Sequence, residues 1–192
     1  MKLILSSCDF RNDKAKQTII DNLDKPIEQC KLLFIPNEKA TMQAIQSEMY
    51  YLRMQEFGFI RENILVFDYC NEEQFLNLDI DIIYISGGNT FKTLQRIRGC
   101  GFDKEIINYV KSGVIYIGGS AGAHIASADI EHVANFDSVP DGYTDFSGLG
   151  MFDGILVCHY TSDRKPLYDK LQSDGKYKVY ALTDDESLII NK

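Results

Sequence analysis

The chain has 192 residues, of which 45 % are hydrophobic and 25 % are charged, and its formal net charge at pH 7 is −8. These proportions are typical of a globular protein. The length is typical of a single domain, so we expect one domain over residues 1–192. The acidic balance argues against a nucleic-acid partner. No apolar run approaches the roughly 20 residues that span a bilayer, which argues against a membrane partner. The five cysteines show no C-x-x-C spacing, so we expect reduced thiols in the cytoplasm, without a disulfide framework or a zinc site.

Short apolar runs alternate with helical patterns along the chain. The predicted strands cover residues 3–6, 32–35, 64–67, 82–86, 114–117, 155–158, 179–182 and 188–190. The predicted helices cover residues 14–23, 40–57, 90–96, 104–111, 121–126 and 166–171. The first apolar run is too short for a signal peptide, and charged residues follow it at once. The alternation predicts an α/β fold with a mainly parallel sheet and helices on both faces, in which functional residues gather at the carboxyl ends of the strands.

Residues 115–124 contain the pattern Gly118-x-Ser120-x-Gly122 between a predicted strand and a predicted helix. A sharp turn from strand to helix strains the backbone of the serine, and small neighbours allow that turn to form. The turn would present the Ser120 hydroxyl as a nucleophile. At the start of the helix, the backbone N–H of Ala121 would donate to an oxyanion. A glycine-rich turn that closes a sheet or binds phosphate is the alternative interpretation.

The chain has three histidines that could act as a general base for this serine. His159 directly follows the predicted strand 155–158, so it should lie at the same edge of the sheet as Ser120 and accept its proton. His124 lies one turn after the serine on the same helix, where its side chain should cover the helix rather than the turn. The sequence position of His132 gives no reason to place it beside Ser120. A structural histidine at a loop entrance is the alternative for His159.

A third group should orient the imidazole of the base. The carboxylates between the serine and His159 belong to Asp129, Glu131, Asp137, Asp141, Asp145 and Asp153. We expect most of them to be solvated loop charges. Asp137 is the candidate acid, because an aromatic residue precedes it and it lies between the Ser120 helix and the histidine strand.

A second glycine turn, Gly87-Gly88, follows the predicted strand 82–86 and opens a helix. Paired glycines let the backbone approach a ligand, so the N–H of Gly88 is the candidate second oxyanion donor. Asn89 in this turn and Arg164 beyond the histidine are the candidate substrate-binding residues, and the planar guanidinium of Arg164 suits a carboxylate. The alternatives are an ordinary turn before a helix cap and a solvated loop cation.

Together these motifs resemble the dipeptidase E and cyanophycinase family of serine peptidases. The resemblance rests on residues 85–91, 119–123, 148–150, 157–160 and 180–184. It implies a flavodoxin-like sheet related to the class I glutamine amidotransferases, with serine in place of their cysteine. It also implies that no metal or organic cofactor is needed.

For the site, the resemblance implies Ser120 as nucleophile, His159 as base, an acid near Asp137, and oxyanion donors at Gly88 and Ala121. The implied activity is hydrolysis of short peptides through an acyl-enzyme, with acidic dipeptides among the candidate substrates. Family members that cleave after an N-terminal aspartate carry an arginine-rich stretch beyond the histidine, and this chain has a single arginine there.

Two other functions fit the same sequence. The serine motif and the order serine, aspartate, histidine also suit an esterase of the α/β-hydrolase type, although the glycine turn at residues 87–88 is not an HGGG loop. The missing arginine stretch also suits a non-catalytic member of the fold that binds a small ligand. The sequence leaves open whether copies of the chain associate into a homo-oligomer.

Overall fold

Eight strands and seven α-helices make up the computed structural model, which describes residues 1–192. The strands are β1 (Lys2–Ser6), β2 (Leu32–Ile35), β3 (Ile64–Val66), β4 (Ile82–Ile85), β5 (Ile115–Gly119), β6 (Ile155–Val157), β7 (Val179–Ala181) and β8 (Ser187–Asn191). The helices are α1 (Asp13–Asp21), α2 (Met42–Ile45), α3 (Met49–Phe57), α4 (Thr90–Gly99), α5 (Phe102–Lys111), α6 (Ala121–Ile125) and α7 (Lys165–Asp174). Every predicted strand is present, and no bound differs by more than two residues.

The central sheet has six strands in the order β3-β2-β4-β5-β1-β8. All neighbours in it are parallel except β1 and β8, which are antiparallel, so the predicted mainly parallel α/β fold is confirmed. The inner strands are fully buried apolar runs such as Ile82–Ile85, as expected for strands covered on both faces. Because β4, β5 and β1 are adjacent and parallel, the loops that follow them meet at one edge.

A second, two-stranded sheet pairs β6 with β7 in parallel. Its ladder continues past the strands, since Leu182 N–H donates to the Val157 carbonyl at 3.0 Å and Tyr160 N–H donates to the Leu182 carbonyl at 2.9 Å. The chain after β6 is tied to the central sheet by a hydrogen bond of 2.7 Å from His159 N–H to the hydroxyl of Ser7. The carboxyl end of the small sheet therefore lies against the carboxyl end of β1.

The predicted helix over residues 40–57 is wrong as one element, because the structure divides it into α2 and α3. Ser47 lies in the break. Its hydroxyl donates to the Ala44 carbonyl and accepts from the Met49 N–H, and such local side-chain bonds compete with a continuous helix. The apolar periodicity spans the break, because both helices bury residues, Ile45 in α2 and Met54 in α3. None of the helices is both long and apolar enough to cross a bilayer.

Candidate active site

Ser120 occupies the turn between β5 and α6 with a positive φ of +47° and a ψ of −103°. A non-glycine residue in this region is strained, and the strain persists only where the surroundings hold it. Ser120 N–H donates to the Ser6 carbonyl at 2.8 Å, and His124 N–H donates to the Ser120 carbonyl at 3.0 Å. These two bonds fasten the residue to β1 on one side and to α6 on the other. The predicted strand–turn–helix context of the serine is therefore present.

Close contacts explain the glycines around this serine. A Cβ on Gly119 would lie 1.9 Å from an oxygen of the Asp9 carboxylate, and a Cβ on Gly122 would lie 2.1 Å from the Ile85 carbonyl oxygen. Both distances are far below any non-bonded contact, so a larger residue at either position would displace the turn. The glycines therefore let the turn lie directly against the ends of β4 and β1.

His159 lies beside the serine, as the strand topology predicts. Its Nε2 is 2.9 Å from Ser120 Oγ, which is hydrogen-bonding distance. His159 also has a left-handed backbone, φ +52°, and its amide is held by Ser7. His124, by contrast, is buried with no hydrogen-bond partner on either ring nitrogen. Burial lowers the pKa of His124 well below its ordinary value, with a further contribution from His132, so its imidazole is neutral.

The carboxylate beside His159 belongs to Asp184, and the prediction of Asp137 for this position is wrong. Asp184 Oδ1 lies 2.5 Å from Nδ1 of His159 and also accepts from the Ser7 hydroxyl at 3.3 Å. Asp137 instead accepts the backbone N–H of Thr90 at 2.7 Å. The physical reason is that Thr90 begins α4, whose first amides are unpaired and attract a carboxylate. Asp184 follows His159 in sequence, so it lies outside the segment between the serine and the histidine in which the acid was expected.

A buried carboxylate in the loop after β1 supports the serine turn. Asp9 is fully buried with φ +52°, and its oxygens accept from Arg11 Nε and from the Tyr84 hydroxyl, each at 2.9 Å. Burial, together with the Asp9 charge, raises the pKa of Tyr84 well above its ordinary value, so this hydroxyl keeps its proton and donates. The same carboxylate contacts the position of Gly119. Asp9 thus fills the space under the turn and holds the Arg11 guanidinium at the site.

A cavity of about 350 Å³ opens beside the nucleophile. Ser120, His159, Gly87 and Gly88 line it, together with the cationic side chains of Arg11, Lys39 and Arg53. A larger cavity of about 690 Å³ is lined by residues that precede β4 and β5, such as Asp81 and Val114. The smaller cavity is the candidate substrate site, because in parallel sheets ligands bind at the carboxyl ends of the strands.

The Gly87-Gly88 turn faces the nucleophile, because a Cβ on Gly87 would lie 3.5 Å from Ser120 Cβ. Gly88 lines the same cavity, and Ala121 is the first residue of α6. Gly88 thus lines the cavity of the nucleophile and Ala121 directly follows the nucleophile, and the role of their amides as oxyanion donors remains a prediction. At Gly88 a Cβ would collide with Asn37 and Glu38, so only glycine fits there.

The structure does not support the predicted roles of Asn89 and Arg164 in substrate binding. The Asn89 side chain is occupied at the start of α4, where Oδ1 accepts from Lys92 N–H and Nδ2 donates to the Ser138 carbonyl, each at 2.9 Å. The Arg164 guanidinium donates to the Cys158 carbonyl and lies 3.8 Å from the centre of the Phe136 ring. Both side chains are used within the protein, and neither lines the cavity at Ser120.

Comparisons with known proteins agree with this architecture. A candidate peptidase E from Listeria monocytogenes EGD-e, solved at 1.5 Å, superposes with a TM-score of 0.76 at 24 % identity, over 98 % of this chain and 93 % of that chain. A peptidase from an acI-B1 Actinobacterium superposes with a TM-score of 0.59 at 18 % identity, over 99 % of this chain and 83 % of that chain. At these identities the likeness shows a shared fold.

Sequence relatives carry peptidase names. An uncharacterised peptidase of Listeria monocytogenes is 34 % identical over 115 residues, which cover 57 % of this chain and 56 % of that protein. Peptidase E of Citrobacter koseri is 36 % identical over 85 residues, which cover 44 % of this chain and 36 % of that protein. The aligned part thus spans about half the length, or less, of these curated relatives. The model of the family described as "Peptidase family S51" matches residues 3–192. Because this match covers nearly the whole chain, the chain belongs to peptidase family S51.

Proposed function

We propose that this chain is a serine peptidase that hydrolyses short peptides through an acyl-enzyme, with residues 1–192 acting as one peptidase domain. The observation that carries the proposal is the continuous line from Ser120 Oγ to His159 Nε2 at 2.9 Å and from His159 Nδ1 to Asp184 Oδ1 at 2.5 Å. A nucleophile, a base and an orienting carboxylate in this order are the arrangement that recurs in serine hydrolases on unrelated folds.

In the proposed mechanism, the Asp184 carboxylate accepts a hydrogen bond from Nδ1–H of His159, which keeps the proton on Nδ1 and leaves the Nε2 lone pair free. Nε2 takes the proton of Ser120 as Oγ attacks the scissile carbonyl, and the N–H groups of Ala121 and Gly88 donate to the resulting oxyanion. The tetrahedral intermediate collapses when His159 returns that proton to the leaving amine. A water molecule then attacks the acyl-enzyme, with His159 again acting as the base, and the acid product and free Ser120 are released.

The cavity supports a preference for short, acidic substrates. Its volume of about 350 Å³ is at the small end of ligand pockets, so we expect dipeptides and tripeptides to be cleaved and folded proteins to be spared. Three cations, Arg11, Lys39 and Arg53, line it. Arg11 is held in place by a buried carboxylate, so its charge is fixed in position before a ligand binds. We therefore propose that these cations, rather than Arg164, attract a substrate carboxylate.

The proposed setting is the cytoplasm, and the proposed partner is the peptide substrate. The five cysteines are all unpaired, which suits a reducing compartment. The formal net charge of −8 disfavours nucleic acid as a partner.

A serine-directed phosphonate tests the proposed function. Incubation followed by intact mass measurement should give one adduct on the wild type and none on Ser120→Ala. Hydrolysis of a dipeptide library, compared with short esters, then separates a peptidase from an esterase. A wild-type chain that takes no label and cleaves neither substrate class would be a non-catalytic member of the fold, and the proposal would be wrong.

A further inference from the structure

Cys8 is a side chain that the proposed mechanism does not use, although it lies beside the catalytic residues. It follows β1 in the loop that carries Asp9 and Arg11, and it is partly buried. One ligand atom each from Cys8, His159 and Asp184 lies within 4.8 Å of the other two. The loops after β1, β6 and β7 therefore bring a thiol, an imidazole and a carboxylate to one point.

These three donors are the types that zinc prefers. Sulfur, imidazole nitrogen and carboxylate oxygen bind zinc at distances of roughly 2.0–2.3 Å, so tetrahedral ligands lie about 3.5 Å apart. The observed spacing of up to 4.8 Å is close enough for side-chain rotation to bring the atoms together. Asp184 is free to make that movement, because its side chain is 57 % exposed. Three protein ligands leave the fourth position of zinc to water.

We propose that Cys8, His159 and Asp184 form an inhibitory site for a thiophilic divalent cation, with zinc as the best fit. The cation would bind Nδ1 of His159 in place of the hydrogen bond to Asp184, and the Cys8 thiol would release its proton to solvent on binding. A ring metallated at Nδ1 carries its remaining proton on Nε2. Nε2 then has no lone pair for the Ser120 proton, so the base is blocked while the fold is unchanged.

The donor set also predicts which cations do not act in this way. Magnesium and calcium prefer all-oxygen sites, and of the three proposed ligands only Asp184 is an oxygen donor. Arg11 lies in the same loop as Cys8, but its charge is matched by the buried Asp9 carboxylate. Inhibition by zinc and cobalt without inhibition by magnesium is therefore the expected signature. The inhibitory part of this inference rests on the proposed function, whereas the cation site itself does not.

The test compares zinc inhibition of dipeptide hydrolysis in the wild type, Cys8→Ser and Cys8→Ala, with Cys70→Ser as the matched control. Cys70 is an exposed thiol outside the cavity. Zinc should inhibit the wild type and Cys70→Ser equally, and a chelator should restore activity. Either Cys8 substitution should raise the half-inhibitory zinc concentration at least about tenfold, measured against the variant's own metal-free rate of hydrolysis, since even residues that only support metal ligands affect affinity about 10–100-fold. Equal zinc sensitivity of the wild type and the Cys8 variants would overturn the proposal.

Cobalt provides a readout that does not depend on hydrolysis. The wild type titrated with Co²⁺ should show a thiolate-to-cobalt charge-transfer band in the near ultraviolet, and both Cys8 variants should lack it. A wild-type spectrum without this band would contradict the site. A chain that shows the band but cleaves no peptide would support the site and contradict the proposed function, so the two failures are distinguishable.

Discussion

Asp184 reaches Nδ1 of His159 because the two residues follow neighbouring parallel strands. The β6–β7 ladder continues through Tyr160 and Leu182, and it brings the ends of both strands to the same edge. The histidine amide is bonded to Ser7, whose hydroxyl is also 3.3 Å from Asp184 Oδ1. The base and its acid are thus oriented by the small sheet and by the end of β1 together.

Asp184→Asn should abolish most catalysis, because an amide can hold His159 in the wrong tautomer. We expect kcat to fall by at least about a thousandfold with little change in KM, as for the corresponding change in other serine hydrolases. Asp137→Asn is the matched control. It should retain activity and lower the free energy of unfolding by about 1 kcal/mol, because Asp137 bonds the first turn of α4. Steady-state kinetics and urea unfolding measure both effects. Loss of activity in Asp137→Asn alone would reverse the assignment of the acid.

Gly119→Ala should destabilise the serine turn by at least about 2 kcal/mol and reduce activity, because its Cβ would overlap the buried Asp9 carboxylate. Gly99→Ala is the control, since its Cβ would meet nothing within 4 Å and it ends α4. That change should be neutral or slightly stabilising, as alanine favours a helix over glycine by up to about 1 kcal/mol. Thermal unfolding of the two variants gives the comparison. Equal stability would show that the turn has room for a side chain.

Neutral His124 should make stability fall on acidification. Its folded-state pKa is lowered by burial, so the unfolded chain binds the proton more readily. This stability is fully present above the unfolded pKa of about 6.5 and is lost as the pH falls below it. Between about pH 7.5 and pH 5.5, the urea midpoint of the wild type should fall more than that of His124→Leu. Parallel pH profiles for the two chains would contradict this assignment.

The cavity cations should determine a preference for acidic substrates. We expect the wild type to cleave an Asp-initiated dipeptide faster than its Asn counterpart. Lys39→Gln combined with Arg53→Gln should reduce that ratio about tenfold, which corresponds to about 1.4 kcal/mol for a charged contact. Arg164→Ala should leave the ratio unchanged, because its guanidinium lies on Phe136 and outside the cavity. Arg11 is left intact in this comparison, since its removal would leave the buried Asp9 carboxylate without its ion-pair partner. If the ratio collapses only in Arg164→Ala, the cationic pocket has been misassigned.

The sequence predicts the parts of this structure that follow from local pattern. Buried apolar runs identify the strands, and the glycine–serine pattern identifies the turn at Ser120. The position of His159 follows from the rule that loops after parallel strands meet at one edge. Asp184 could not be found in this way, because its approach to His159 depends on the separate pairing of β6 with β7.

The buried polar contacts could not be predicted from the sequence either. Asp9 follows a strand and resembles any exposed loop carboxylate, yet it is fully buried against Arg11 and Tyr84, and Tyr84 lies 75 residues away in sequence. The break between α2 and α3 depends on the bonds of one hydroxyl, that of Ser47, within a continuous apolar periodicity. Such contacts between distant residues, and such local competition for hydrogen bonds, leave no periodic signal.

The most direct test of the proposed function is the rate at which Ser120→Ala hydrolyses a dipeptide that the wild type cleaves. The substitution removes the nucleophile and leaves the turn, the histidine and the cavity in place. We expect kcat/KM to fall by at least about a thousandfold while the thermal unfolding midpoint stays close to that of the wild type. A folded Ser120→Ala chain that turns over the dipeptide at the wild-type rate would contradict the assignment of Ser120 as the nucleophile.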